Sequence, residues 1–361
     1  MYIRWNKLKI IFFIIIYILA SSILFSKAEI AVYPSGGYSN ETEFYAGALA
    51  YLRYRPAHFD RLTSKNIFYI STIYSQKKQF NFLFQPTIYF QDGLYRSFSE
   101  LQYKKWPSEF YGIGMNSNRD ISEKYTSEEI KLKSDLTRIV SDNWELAFCY
   151  EFVNHQLVKL EDNKLLASGN IPGSQNSSTS GAGLKVTLNS SNSESYPTKG
   201  SIYSLQIMNY SKHIGSDYKF SSITLDLRKY FEIDNQNILA VQSYFSSING
   251  DVPFHQLNYM NDNMRAITSN LFIDQNVYVF RMEDRFFHWN DGFKKRLGLV
   301  IFAELGEVAS EIAKFNLEQF QFNYGLGFRY SFFLDDRMNA RLDIGFGEVK
   351  ASISMATGEV F

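Results

Sequence analysis

From Phe322 to Ser331 the chain alternates with a strict period of two. Phe322, Tyr324, Leu326, Phe328 and Tyr330 fall on one face; Asn323, Gly325, Gly327, Arg329 and Ser331 fall on the other. The stretch from Met338 to Phe346 repeats the pattern, setting Met338, Ala340, Leu342, Ile344 and Phe346 against Asn339, Arg341, Asp343 and Gly345. Between Ser222 and Tyr230, Ile223, Leu225 and Leu227 oppose Thr224, Asp226 and Arg228. This period is that of β-strands. The core of a sandwich would have to pair every charge on the polar face, whereas a water-filled lumen accepts such a face directly. A strand with lipid on its other side must have all its backbone groups paired, so the sheet has to close. The expected fold is all-β: an antiparallel transmembrane β-barrel.

Sixteen runs of this kind start near Ile30, Phe44, Asn66, Gln79, Leu94, Glu128, Asn143, Gly181, Ser201, Ser221, Asn237, Val277, Arg296, Phe322, Met338 and Ser352. An even strand count puts both ends of the barrel chain on the periplasmic side. The connections then sort by length. Turns such as Asp92-Gly93 and Ser141-Asp142 close one end, and the long segments Gly112–Ser127, Asn154–Ser180, Asn249–Asn276 and Gly306–Gln321 lie at the other. Short periplasmic turns with long external loops are the outer-membrane arrangement. Asn154–Ser180 is mostly Ser, Gly and Asn and reads as a polar surface loop.

The N-terminus reads as an export signal. Arg4, Lys7 and Lys9 precede an apolar run from Ile10 to Phe25, and Ser26-Lys27-Ala28 places small residues where a signal peptidase cuts. The expectation is a signal peptide over 1–28 and one barrel domain over 29–361. The chain has one cysteine, Cys149, so it forms no internal disulfide. Its 37 basic and 37 acidic residues balance, which leaves no electrostatic case for nucleic acid. Aromatics reach 17%, which suits interfacial girdles. His58, His155, His213, His255 and His288 are scattered, and no nucleophile elbow, phosphate loop or metal spacing is present. No enzyme activity, cofactor or metal is expected.

Two constellations remain. Arg265 sits in the polar loop before the twelfth strand. Alternation puts Arg281, Glu283 and Arg285 on the lumenal face of that strand and Glu304 on the lumenal face of the next. An arginine entering from the loop would meet these carboxylates. On the residues alone, Arg265 reads first as an ordinary exposed loop arginine. The second constellation is the seam. Pro34, Gly36 and Gly37 in the first strand and Gly358 near the last make closure the weakest pairing. That is either a lateral gate toward lipid or the consequence of a glycine-built turn.

An ordered set of motifs resembles the BamA/TamA-like outer-membrane barrels, also called bacterial surface antigens. It runs through Tyr33-Pro34-Ser35-Gly36-Gly37-Tyr38-Ser39, Phe110-Tyr111-Gly112-Ile113-Gly114, Tyr196-Pro197-Thr198-Lys199-Gly200 and Gly250-Asp251-Val252-Pro253-Phe254 with Met264-Arg265. It ends in Tyr324-Gly325-Leu326-Gly327-Phe328-Arg329, Arg341-Leu342-Asp343 and Gly358-Glu359-Val360-Phe361. The resemblance implies that Arg265 pairs with an acid on the thirteenth strand, where Glu304 stands, and that the loop plugs the barrel. It implies a part in inserting or translocating proteins or lipids, with outer-membrane lipids as partners. Ala266 and Ile267 depart from the family's glycine and aromatic at the loop tip. The periplasmic recruitment domains that precede the barrel in the family have no room here, so periplasmic chaperones or assembly partners are expected to supply that arm. A small-solute channel and a surface antigen or adhesin are the alternatives.

Overall fold

The computed structural model describes residues 28–361 except 40, 55–64, 118–121, 194–195, 235–236, 268–269, 288–295, 334–337 and 348–350. The expected signal segment lies, apart from Ala28, outside the described residues. Sixteen strands form one antiparallel sheet in chain order. They are β1 (Ala28–Ser39), β2 (Glu43–Tyr54), β3 (Asn66–Ser75), β4 (Phe80–Phe90), β5 (Tyr95–Phe110), β6 (Glu123–Ile139), β7 (Trp144–Leu160) and β8 (Ser177–Asn189). The second half comprises β9 (Gly200–Tyr210), β10 (Phe220–Glu232), β11 (Asn237–Gly250), β12 (Asn276–Phe286), β13 (Leu297–Ala309), β14 (Gln321–Phe333), β15 (Met338–Gly347) and β16 (Ser352–Thr357). The sheet curls into a nearly closed barrel, with β16 lying beside β1.

The alternation in the sequence becomes an outside and an inside. Leu299 and Ile301 on β13, and Tyr324, Leu326 and Phe328 on β14, are exposed outward. Val300, Phe302 and Glu304 on β13, and Asn323 and Arg329 on β14, are buried inward. A one-residue slip would reverse this assignment, so the apolar band fixes the register. β5, β6 and β7 are the longest strands, at 16, 17 and 17 residues. They exceed the roughly 9–11 residues a tilted crossing needs, so the wall stands tallest at that side.

The loop between β11 and β12 folds inward rather than out. It carries 3-10 turns at Phe254–Gln256 and Met260–Asp262 and a two-residue ladder of Asn258–Tyr259 with Ile273–Asp274. Its apolar residues build two cores inside the barrel. Phe254, Leu257 and Ile273 pack with Phe110, Tyr125, Met208 and Phe220 from the wall. Met260, Met264, Ile267, Leu271 and Phe272 pack with Val277, Val279 and Val308.

The segment expected as a polar surface loop over Asn154–Ser180 is shorter and better packed than its composition implies. β7 and β8 take its two ends. Leu166 is buried, and both Leu165 and Leu166 donate their backbone N–H groups to the Glu123 carboxylate. The Pro172 carbonyl accepts from the Phe254 N–H, so this segment braces the root of the inward loop.

Candidate functional site

The tip of the inward loop presents Met264-Arg265-Ala266 to a floor made by β13, β14 and β15. That floor is shallow where Gly306, Gly345 and Gly347 lie beneath the tip. A Cβ at Gly345 would lie 3.2 Å from the Ala266 Cβ, one at Gly347 3.5 Å from it, and one at Gly306 2.7 Å from the Met264 sulfur. Close approach of two backbones is the physical role of these glycines. Ala266 itself is buried, and Ile267 joins the apolar core behind it.

Arg265 reaches from this tip into a cage of carboxylates. Its Nε donates to Glu304 Oε1 at 2.6 Å, and its backbone N–H donates to Glu304 Oε2 at 2.8 Å. Glu304 therefore holds both the side chain and the main chain of the tip. Arg265 Nη1 lies 2.7 Å from Glu283 Oε1 and 3.5 Å from Asp343 Oδ2. The guanidinium carbon sits 3.3 Å from the centre of the Phe302 ring, an additional cation–π contact. From β16, the Ser352 hydroxyl donates to the Arg265 carbonyl at 2.7 Å. The side chains of Arg265 and Glu283 are 6% and 0% exposed, so the pairing works at low dielectric, where charge-assisted bonds are strongest. Burial alone would push the Arg265 pKa down, but Glu304, Glu283 and Asp343 hold it above the ordinary arginine value.

The cage continues along the wall. Arg285 donates from Nε to Glu283 Oε2 at 2.8 Å and from Nη2 to the Phe361 main-chain oxygen at 2.8 Å. Arg329 donates from Nη1 to Asp343 Oδ1 and from Nε to Glu359 Oε2, both at 2.7 Å. Arg341 Nη1 lies 3.3 Å from Asp343 Oδ2. Arg281 is different. Its Nε and Nη2 both donate to the Gln242 side-chain oxygen, and no carboxylate among the described residues lies within ion-pair distance. Gln242 in turn donates to Asp226 at 2.6 Å, and Asp226 pairs with Arg228.

Of the residues singled out from sequence, the structure brings Arg265, Glu304, Glu283 and Arg285 into one cluster, with Arg281 at its edge. It adds Asp343, Arg329, Arg341, Glu359 and Phe302. The alternation had put Arg329, Arg341 and Asp343 on the lumenal face, but nothing in spacing alone joins β14 and β15 to a loop 60 or more residues earlier.

The seam residues lie apart from this cluster. Every pair of consecutive strands is joined by a ladder, while none joins β16 to β1 among the described residues. Pro34, Gly36 and Gly37 sit within β1, opposite Ala48, Ala46 and Tyr45. The glycines therefore belong to the strand, and the turn comes after Ser39. The Tyr45 hydroxyl donates across the gap to the Met355 carbonyl at 3.1 Å, and a Cβ at Gly37 would lie 3.1 Å from the Met355 Cβ. Gly358, at φ +78°, ends β16, and its N–H donates to the Asn339 carbonyl at 2.7 Å.

Residues 66–266, more than half of the chain, match the Omp85 superfamily domain. No curated protein matches by sequence. Solved structures share the fold, among them the following three. BamA from Haemophilus ducreyi, in a form lacking POTRA domains 1–3, superposes with a TM-score of 0.60 at 12% identity, over 92% of this chain and 70% of that one. CdiB from Escherichia coli gives 0.58 at 9% identity, covering 92% and 67%. CdiB from Acinetobacter baumannii gives 0.53 at 9% identity, covering 92% and 65%.

Proposed function

The chain belongs to the Omp85 superfamily of bacterial outer-membrane barrels, and from that premise we propose that it helps insert or translocate proteins or lipids at the outer membrane. In this reading residues 1–28 direct export and 29–361 form the working barrel. Outer-membrane lipids face its apolar band, and periplasmic chaperones or assembly partners deliver cargo. Its work is passage and assembly, not bond chemistry.

The observation that carries the proposal is the contrast, among the described residues, between fifteen laddered strand pairs and one seam without a ladder. The seam strand β16 has only 6 residues, against 12 in β1. Few hydrogen bonds then resist parting of β1 and β16, and the opening would face lipid. The Arg265 cluster supplies the complementary need. With Glu304 and Glu283 it holds the loop in the lumen, so that parting the seam does not leave an open pore.

A seam lock tests this. Cβ atoms at positions 37 and 355 would lie 3.1 Å apart, so cysteines there come within bridging reach once the Tyr45 side chain, which a Cβ at Gly37 meets at 2.7 Å, turns aside. Oxidising Gly37→Cys with Met355→Cys should abolish the ability of the protein to restore outer-membrane protein or lipid content in a depleted strain, and reduction should return it. Full activity of the oxidised form would refute the gate.

A second reading, a small-solute channel, is favoured by the cavity of about 730 Å³ left in the lumen beside β5–β10. Removing residues 251–275 discriminates. The channel reading expects conducting pores with no assembly defect; the proposed function expects an assembly defect as well.

A further inference from the structure

A second lumenal cavity, of about 900 Å³, lies between the loop tip and the last strand. Arg265, Arg281 and Arg341 line its inner part, together with Ser352 and Ser354 of β16. Its outer mouth carries both signs, with Lys124 and Lys159 beside Glu109 and Glu161. Asp262, just before the loop tip, also lines the cavity, and burial raises its pKa above the ordinary carboxylate value, toward the neutral acid. Glu283, Glu304 and Asp343, behind the arginines, are already engaged by them.

These three arginines keep unused donor capacity. Arg265, with a side chain 6% exposed, has no partner for Nη2, and Arg341 has none for Nε. Arg281, also buried, gives Nε and Nη2 to one neutral amide oxygen and has no carboxylate partner among the described residues. Arg265 and Arg341 both approach the same oxygen of Asp343, at 3.5 and 3.3 Å, so two guanidinium groups share one acceptor. Buried donors without partners are costly, and convergent guanidinium groups are what binds a multi-oxygen anion.

We infer that this cavity is a binding site for a phosphate group, held by Arg281 and Arg341, with Arg265 at its edge. A tetrahedral anion offers acceptors in several directions at once, matching donors that come from β12 and β15. The group can arrive as free phosphate through the lumen. It can also arrive as a lipid headgroup through the seam, since β16 forms one wall and lacks a ladder to β1. The site stands whether or not the barrel moves cargo.

The test uses the purified, folded chain and two probes. Inorganic phosphate is titrated calorimetrically in neutral detergent. Phosphatidic acid is compared with phosphatidylcholine alone in nanodiscs by native mass spectrometry of bound lipid. Arg281→Gln and Arg341→Gln should each weaken binding about tenfold or more. Ser354→Asp, which adds a carboxylate to the wall and leaves every arginine in place, should do the same. It carries the test where an arginine variant fails to fold by heat-modifiable migration. Saturable phosphate binding lost in the variants assigns a soluble anion; retention of phosphatidic acid alone, lost in the variants, assigns a headgroup. Absence of binding by both probes, or equal binding by wild type and all variants, overturns the site.

Discussion

The two sides of the lumen use the same alternation to opposite ends. Beside β5–β8 the inward charges are mostly lysines with carboxylates, and they face a cavity. Lys133 pairs with Glu151 at 3.4 Å while 42% exposed, and Lys185 pairs with Asp135 while 30% exposed. Beside β12–β15 the inward basic residues are arginines, paired with Glu283 and Asp343, interleaved with glycines and covered by the loop. A lysine is a flexible, strongly hydrated point charge that water can satisfy; an arginine offers a planar fork that a fixed carboxylate matches. The glycines decide which side can receive the loop tip, because its backbone approaches where Gly306, Gly345 and Gly347 carry no side chain. The comparison teaches that residue type, not charge count, separates a wetted wall from a docking wall.

Breaking the docking wall should cost most. Glu283→Ala strips partners from Arg265 and Arg285, both buried, and should lower folding stability by about 3–5 kcal/mol; equilibrium unfolding in detergent or lipid measures it. Next comes the floor. Gly345→Leu drives a side chain into Ala266, Ser352 and Phe302. It should leave the strands intact but raise amide exchange across residues 257–267.

A pH effect at the loop root should be smaller. His255 stacks on His155 with ring centres 4.1 Å apart. Burial, with the charge of His155 second, holds the His255 imidazole well below its usual range. Because the folded value is depressed, docking is at full strength above about pH 6.5 and weakens progressively as pH falls below it. Loop protection should drop about tenfold from neutral to about pH 5, and His255→Gln should flatten the profile. On the wetted wall, Lys185→Met should change stability by less than about 1 kcal/mol, as exposed pairs do. A loss matching that of Glu283→Ala would erase the contrast between the walls.

The barrel was legible in the sequence because a period of two with one lipid face is a local signal, repeated sixteen times. Fourteen of the sixteen expected strand starts fall within two residues of the observed ones; β6 begins five residues before Glu128 and β8 four before Gly181. The loop was less legible. Its polar residues dominate by number, yet Phe254, Leu257, Met260, Met264, Ile267 and Leu271 recur every three or four positions. That spacing marks a segment with one buried side, and the 3-10 turns and inner cores follow from it. The contacts of Asp343 and Glu359 were not legible, since which lumenal residues meet depends on the curvature and stagger of the whole sheet. At the tip, Ala266 and Ile267 replace a glycine and an aromatic of the resembling family. The pairing here rests on Glu304, which holds both Arg265 Nε and the Arg265 N–H, and on glycines in the opposing wall.

Arg265 and Glu304 are proposed to act as one unit that holds the loop in the lumen. A double-mutant cycle of Arg265→Ala and Glu304→Gln tests it directly, read by equilibrium unfolding together with amide exchange over residues 257–267. The account predicts a coupling above about 1 kcal/mol, with either single variant releasing the loop nearly as fully as the pair. Effects that add to within about 0.5 kcal/mol, with the loop still protected in each single variant, would contradict it.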